Sequence, residues 1–402
     1  MKTKQLLILL AVVIVLAAIA TFKNHRSNAG WRESLSEEAR TMLPEEFDES
    51  AVYSINIKDS GRSITMHRGD NGWTLADRYD YPANFKELTR FISDLTETKV
   101  AQSVPATDDQ LAAMKLTDDS GAVTVTLSGK DGNPLKTLVF GKKVEKERDP
   151  SQVSPQMMMY GMGGNTPVGR YVSIDGAPAI VANTFALVDE KPSNWFNSEF
   201  FKISDLKSAT LSQNATPIWT VSRETSTADL SLVGEIPADK EVDTSKLSAI
   251  KSAFSWIRFN DVANPASKPE ELGLDKAKVL TVIGFDGNVY TITFGAPVDG
   301  KQFLKVAIAW NGATTRTPGA DEKEEDKAKL DAEFANKVKD SQEKAKKLNA
   351  RLSPWIYEVG TSALSSVDKA LDGLLKDKPK PEPPKKEEEK PAASTPPAPP
   401  KP

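Results

Sequence analysis

The chain has no cysteine and only two histidines, His25 and His67, among 402 residues. The missing thiols exclude disulfides, thiol nucleophiles, thiolate-bound zinc and a cysteine-linked lipid anchor, so stability must come from packing. With two histidines, a histidine-based zinc site is nearly excluded as well. A Ser-His-Asp site would have to use His67, which falls in an expected strand. No GxxxxGKS or GxxxxGKT phosphate loop occurs, since Gly161, Gly163 and Gly164 form none and follow no clear strand. Positive charge is also in short supply. Lys2, Lys4, Lys23 and Arg26 are four of the 52 basic residues, and residues 1–26 hold no acid, so the remainder has 48 bases against 56 acids and a net charge of −8. Such a surface is a poor match for nucleic acid.

What is present begins with one long hydrophobic run. Residues 6–22 carry no charge, follow Lys2 and Lys4, and precede Lys23, His25 and Arg26. Seventeen residues at about 1.5 Å each span roughly 25 Å, close to a bilayer core once flanking lysines and arginines snorkel. The reading is an N-terminal anchor over 1–26 with its amine and lysines on the cytoplasmic side. The alternative is a signal sequence cleaved near Ala18 and Ala20. A juxtamembrane linker, 27–49, then leads to an ectodomain outside the inner membrane. With 39% hydrophobic and 27% charged residues the composition is that of an ordinary globular chain, and about 350 residues allow roughly two domains.

Self-similarity organises that ectodomain. Residues 114–141 and 272–295 both run from a short leucine turn into alternating apolar positions (Val123, Val125, Leu127; Val279, Thr281, Ile283). Each then passes through Asp-Gly-Asn into a second strand that ends Phe-Gly, at Phe140-Gly141 and Phe294-Gly295. Asp-Gly favours the positive φ of tight hairpins, so turn chemistry rather than calcium ligation accounts for these aspartates. Upstream, 54–76 and 208–223 read as short strands around Trp73 and Trp219, expected at equivalent places. A helix follows in each copy. One has Phe85, Leu88, Phe91, Ile92 and Leu95 behind an Asn84 cap with Glu87 at the capping-box position. The other has Leu247, Ile250, Phe254 and Ile257 behind Asp243, Thr244 and Ser245. A strand should come next, over 100–104 and 257–262. Residues 170–188 resemble 303–310 joined to 355–367.

The expected fold is α+β: an N-terminal transmembrane helix followed by two tandem, mainly antiparallel β units with one or two helices each, over 50–205 and 206–375. The first unit carries a Met-rich insertion at 142–168 and the second a charged, solvent-exposed helical insertion at about 320–352, neither touching the shared elements. Residues 376–402 are a Pro/Lys/Glu-rich tail, expected to be disordered.

These features resemble the bacterial envelope family catalogued as domain of unknown function 4340 over nearly all of 1–375. The residues that carry the resemblance are the lysine-rich start and single anchor, Gly72-Trp73 before a helix, and the leucine turns at Leu116 and Leu274. Phe140-Gly141, Arg170-Tyr171-Val172 and Phe196 ahead of Ile203 complete the order. The Met-rich insertion, the charged helix and the proline tail depart from the family's pattern. The resemblance implies a place beside an ABC-type transport complex of the gliding-motility kind, and it assigns no catalytic residue.

Chemistry-bearing clusters are few. Met157, Met158, Met159 and Met162 are soft ligands suited to Cu(I), or together with Tyr160 form a contact surface for a protein partner, or belong to a flexible glycine-flanked loop with no function of its own. Asp108-Asp109, Asp118-Asp119 and Glu270-Glu271 are the acid pairs a hydrolase would use, and all fall in polar turns. The leading expectation is a membrane-anchored accessory protein with no catalysis and no cofactor. A glycan or small-molecule module with a cleft between the units lined by Trp256 or Trp310 is the alternative, and a carboxylate-pair hydrolase the third reading.

Overall fold

The computed structural model describes residues 41–378 apart from 45, 71, 148–158, 160–163, 190, 320 and 321. Residues 6–22, most of the Met-rich stretch and residues 379–402 therefore lie outside the described residues; the expected tail begins later than residue 376, because Lys376 and Asp377 pair as strand with Glu241 and Lys240. The chain forms two compact units. Among the described residues, the first comprises those up to Phe200 with Arg258–Glu271 and Pro354–Val359, and the second comprises the remainder.

In the first unit the elements run β1 (Ser54–Lys58), β2 (Ser63–Gly69), β3 (Gly72–Leu75), β4 (Tyr81–Pro82), α1 (Phe85–Glu97), β5 (Val100–Ser103), α2 (Asp108–Ala113), β6 (Val123–Ser128), β7 (Pro134–Lys146), β8 (Thr166–Ile174) and β9 (Ala177–Val181). Short hairpins make the pairings antiparallel, and the sheet order is β4-β3-β2-β1-β6-β7-β8-β9-β5. Helix α1 is the crossover that takes the chain from the β4 edge to the β5 edge. Alternation sorts the two faces: Ile55, Ile57, Ile64, Met66, Val125, Leu127, Leu138, Phe140, Val172 and Ile174 are buried, while Asn56, Thr65, Thr124, Thr126 and Thr137 point the other way and stay partly exposed. The buried stripe of α1, Leu88, Phe91 and Leu95, closes this core. Phe91 meets Trp195 edge-on with ring centroids 5.5 Å apart, and Phe185 at 6.4 Å.

The chain continues through β10 (Leu206–Gln213), β11 (Thr216–Ser222), β12 (Ser231–Val233), β13 (Lys240–Val242), α3 (Thr244–Ser252), β14 (Asp261–Ala263), β15 (Lys278–Gly284), β16 (Asn288–Phe294), β17 (Gln302–Trp310), α4 (Glu324–Leu352), β18 (Ile356–Val359) and β19 (Leu375–Asp377). Six strands of the second unit lie in the order β12-β11-β10-β15-β16-β17. They bury Leu211, Trp219, Leu280, Val282, Tyr290, Ile292 and Phe294 together with Leu247 and Ile250 of α3. β14 and β18 pair with each other, Val262 opposite Tyr357, and belong to the first unit. An aromatic cluster explains that allegiance: Tyr81 lies within 5.0–6.3 Å of the rings of Trp355, Phe259, Phe196 and Tyr357. Arg78 adds a 2.7 Å ion pair to Asp261.

Several expectations need correction. Trp73 sits on β3 and Trp219 on β11. The first unit forms three strands between 54 and 75 where the second forms two between 206 and 222, so the tryptophans are not at matching places. Asn84 does cap α1, accepting from the Glu87 backbone N at 3.4 Å. The Asn84 N–H, however, goes to the Trp195 carbonyl at 2.7 Å, which leaves Glu87 no capping-box partner, and its carboxylate lies 3.9 Å from Arg90. Phe85 is exposed.

Neither insertion is detached from the shared elements. β7 and β8 stay paired beyond the core, with Lys143 opposite Arg170 and Lys146 opposite Thr166, so the two ends of 142–168 are sheet. The charged helix α4 packs against its own unit. Ala345 and Leu352 are buried, and Asn349 Oδ1 accepts the Ile308 N–H of β17 at 2.8 Å.

Candidate functional site

The Phe-Gly ends of β7 and β16 are positions of close backbone approach. A Cβ on Gly141 would meet the Met114 carbonyl oxygen at 2.3 Å, and one on Gly295 would meet that of Gly273 at 1.9 Å. Only glycine lets the leucine turn lie against the strand there. The Asp-Gly-Asn turns are built alike: Asp131 Oδ1 accepts Asn133 N at 3.1 Å and Asp286 Oδ1 accepts Asn288 N at 3.0 Å, with Gly132 at φ +80 and Gly287 at φ +82. These aspartates are turn formers.

At the Gly141 crossing a charged constellation forms. Arg170, at the inner part of β8, is buried. Its Nε donates to the Gly141 carbonyl at 2.8 Å, its Nη1 to the Thr184 and Phe185 carbonyls at 3.2 and 3.3 Å, and Nη1 and Nη2 to the two oxygens of Asp189 at 2.8 and 2.6 Å. Lys143 Nζ reaches the same carboxylate at 3.0 Å. Partial burial works to raise the Asp189 carboxyl, but the hydrogen bonds and charges of Arg170 and Lys143 outweigh it and hold the group below the ordinary carboxylate value of 3.8. Beside this brace opens a cleft of ≈ 690 Å³ whose lining includes Lys115, Lys142, Lys143, Glu145, Tyr171 and Asp189. Lys142 Nζ sits 5.9 Å from the Tyr171 ring centroid.

A second buried arginine, Arg223, braces the other unit. Its Nε donates to the Leu206 carbonyl at 2.6 Å and its Nη2 to Asp205 Oδ1 at 2.7 Å. A larger cleft of the first unit, ≈ 790 Å³, is lined by Asn84, Asn183, Arg90, Arg258, Glu87 and Asp94 together with Phe91 and Phe259.

The residues singled out from sequence do not converge. Met159 is 76% exposed, and Met157, Met158, Tyr160 and Met162 lie outside the described residues. His67 Nε2 lies 3.1 Å from both Thr74 Oγ1 and Asp80 Oδ1. Nucleophile and acid share one ring nitrogen, so the imidazole does not stand between them as a triad requires. His67 and Thr74 are simply cross-strand partners. Asp108 and Asp109 occupy the first turn of α2, whose capping box joins Thr107 and Gln110. Asp118 and Asp119 open a 3-10 turn, and Glu270 and Glu271 lie in another. All six are exposed. Trp256 is 79% exposed with Lys202 Nζ 4.5 Å from its ring. Trp310 donates to the Asp286 carbonyl at 3.0 Å and closes a corner of its own sheet. Among the described residues no group of three or more histidines, cysteines, aspartates or glutamates is placed to hold a metal ion, and no helix there is long and apolar enough to cross a membrane.

Fold and sites together define a mainly antiparallel α+β protein whose buried charges brace backbone carbonyls. The family model described as "Domain of unknown function (DUF4340)" matches residues 73–150 and 160–277, and the chain belongs to that family. The unmatched residues 151–159 fall within the Met-rich insertion. No curated protein and no solved structure matches the chain. Sequence reasoning missed Lys115, Lys142, Lys143 and Asp189 as one cluster. The available signal was the Lys-Lys that follows Phe-Gly in one half of the chain and not in the other.

Proposed function

We propose that this chain is a single-pass inner-membrane protein, N-terminus inside, whose extracytoplasmic part consists of two copies of one α+β unit and serves a transport complex of the ABC type as a non-catalytic accessory subunit. The observation that carries the reading is the uncharged run 6–22 between basic flanks. The exposed, scattered acid pairs and the strand-partner role of His67 agree with it.

Duplication is supported by the sheets. Strand order β3-β2-β1-β6-β7-β8 in the first unit runs parallel, strand for strand, to β12-β11-β10-β15-β16-β17, and the β5–β9 pair to the β14–β18 pair. Registers agree as well: Phe140 stands opposite Val172 and Phe294 opposite Leu304.

The test is crosslinking in intact membranes followed by purification of the full-length protein, beside a variant lacking only 148–163, which spares the β7–β8 ladder. Recovery of a transporter subunit with an ATP-binding cassette is expected, whereas absence of any specifically crosslinked membrane protein overturns the accessory role. A second reading, a module for a small polar ligand such as a glycan, is favoured by the cleft whose lining combines amides, arginines and carboxylates with Phe91 and Phe259.

A further inference from the structure

We propose that the cleft beside β7 and β8 of the first unit is an anion site that takes a phosphate or carboxylate group. The argument rests on the reading of the two units as copies, and on charge. Lys115, Lys142, Lys143 and Arg170 face this cleft with only Glu145 and Asp189 as acids, a local excess of two positive charges in a chain of net charge −4. Asp189 is saturated: both its oxygens are held by Arg170, and Lys143 adds a third donor. One cation of that trio is uncompensated. Lys115 and Lys142 form no ion pair with a carboxylate of the described residues, and Lys142 is steadied over the Tyr171 ring.

The second unit shows that the shared frame does not demand these cations. Counted along the chain, Lys142 and Lys143 follow Phe140-Gly141 as Ala296 and Pro297 follow Phe294-Gly295, and Arg170 stands two residues before the partner of Phe140, as Gln302 stands two before the partner of Phe294. Gln302 is buried like Arg170, and its Nε2 donates to the Gly295 carbonyl at 3.0 Å just as Arg170 Nε donates to Gly141. An amide therefore meets the need of that carbonyl, and the rest of the guanidinium is surplus to it. Lys115 is the most telling position. It adopts φ +57, between the end of α2 and Leu116, where the second unit has Gly273 at φ +66 between a helical turn and Leu274. A left-handed backbone is required at both places, and the first unit keeps a lysine there against the conformational preference of an L-residue. All four cations thus stand at positions that are neutral in the other copy. Near the corresponding end of that copy Asp368 pairs with Lys278 at 2.5 Å, one charge to one charge.

Compact, mobile ammonium groups around an open cleft suit an oxyanion approached from several sides, and the size is that of a small-molecule site. The recognised group would be the phosphate or carboxylate of a larger ligand or of a free metabolite.

The experiment titrates the full-length protein, in nonionic detergent, with pyrophosphate in one arm and citrate in the other, followed by calorimetry. Saturable binding is expected in at least one arm, and the better arm identifies the group. Lys115→Ala/Lys142→Ala, which leaves the Arg170–Lys143–Asp189 brace intact, should weaken it at least about tenfold, as loss of a charged hydrogen-bond donor does. Lys323→Ala/Lys347→Ala, at the N-cap of α4 and within it, should leave it unchanged. Lys115→Gly should weaken binding while raising Tm, an outcome that unfolding could not mimic. Absence of saturable binding of either anion, or equal loss in both double variants, overturns the site. The readout is independent of any partner protein, so failure of the crosslinking experiment and failure here are separate results.

Discussion

Replacing Lys115 by glycine should make the protein more stable and a weaker binder of anions. The side chain is exposed and forms no hydrogen bond or ion pair among the described residues, so truncation removes little packing. What it relieves is the backbone: Lys115 sits at φ +57, a conformation that costs an L-residue roughly 1–2 kcal/mol through Cβ–carbonyl crowding. Glycine avoids that cost but is freer in the unfolded chain, which takes back about 0.5–1 kcal/mol. The net expectation is a gain of about 0.5–1 kcal/mol, or a Tm higher by about 1–4 °C for a unit of this size. Chemical denaturation of wild type and Lys115→Gly side by side measures it, with calorimetric titration of pyrophosphate on the same samples. A lower midpoint for the glycine variant would refute the strain argument, and unchanged anion affinity would remove Lys115 from the cleft's work.

Gly141→Ala should be destabilising by about 1–3 kcal/mol, because its methyl would have to displace the Met114 carbonyl and thus backbone; denaturant midpoints read this. Arg170→Gln should be tolerated better than Arg170→Met, since glutamine can still donate to the Gly141 carbonyl as Gln302 does to Gly295, and equal midpoints would contradict the parallel. Asn349→Ala should cost about 1–3 kcal/mol by leaving the Ile308 N–H without its acceptor, whereas a neutral effect would mean that α4 does not pack on β17. Asp189 is held below its ordinary value of 3.8. Its contribution to stability is therefore complete above the unfolded-state pKa and lost as pH falls through the lower folded value. Wild type should lose stability below about pH 4 more steeply than Asp189→Asn, in denaturant titrations across pH 2–6.

Local pattern made much of the fold legible. Alternation marked β6, β7, β15 and β16, Asp-Gly marked their hairpins, and Asn84 and the run Asp243-Thr244-Ser245 marked the starts of α1 and α3, because period, turn conformation and capping are properties of a few adjacent residues. Pairing partners were less legible. Nothing near residue 259 or 357 says that these aromatics pack on Tyr81, and the polar sequence of α4 hid the Asn349 bond to β17, since one amide and two buried apolar residues suffice to dock a helix that otherwise reads as solvated. A shared residue type does not imply a shared strand: Trp73 lies on β3 and Trp219 on β11.

By itself, the sequence determined which chemistries are closed to this protein and where its hairpins turn. It also displayed an uncharged run at 6–22 and two similar hairpin segments, 114–141 and 272–295, that each end in Phe-Gly. Only the tertiary structure decided that Lys115, Lys142, Lys143, Arg170 and Asp189 meet around one cleft. Those residues are up to 74 positions apart, and what joins them is the close approach of the leucine turn to Gly141 and the register of β7 on β8, long-range contacts that no local propensity encodes.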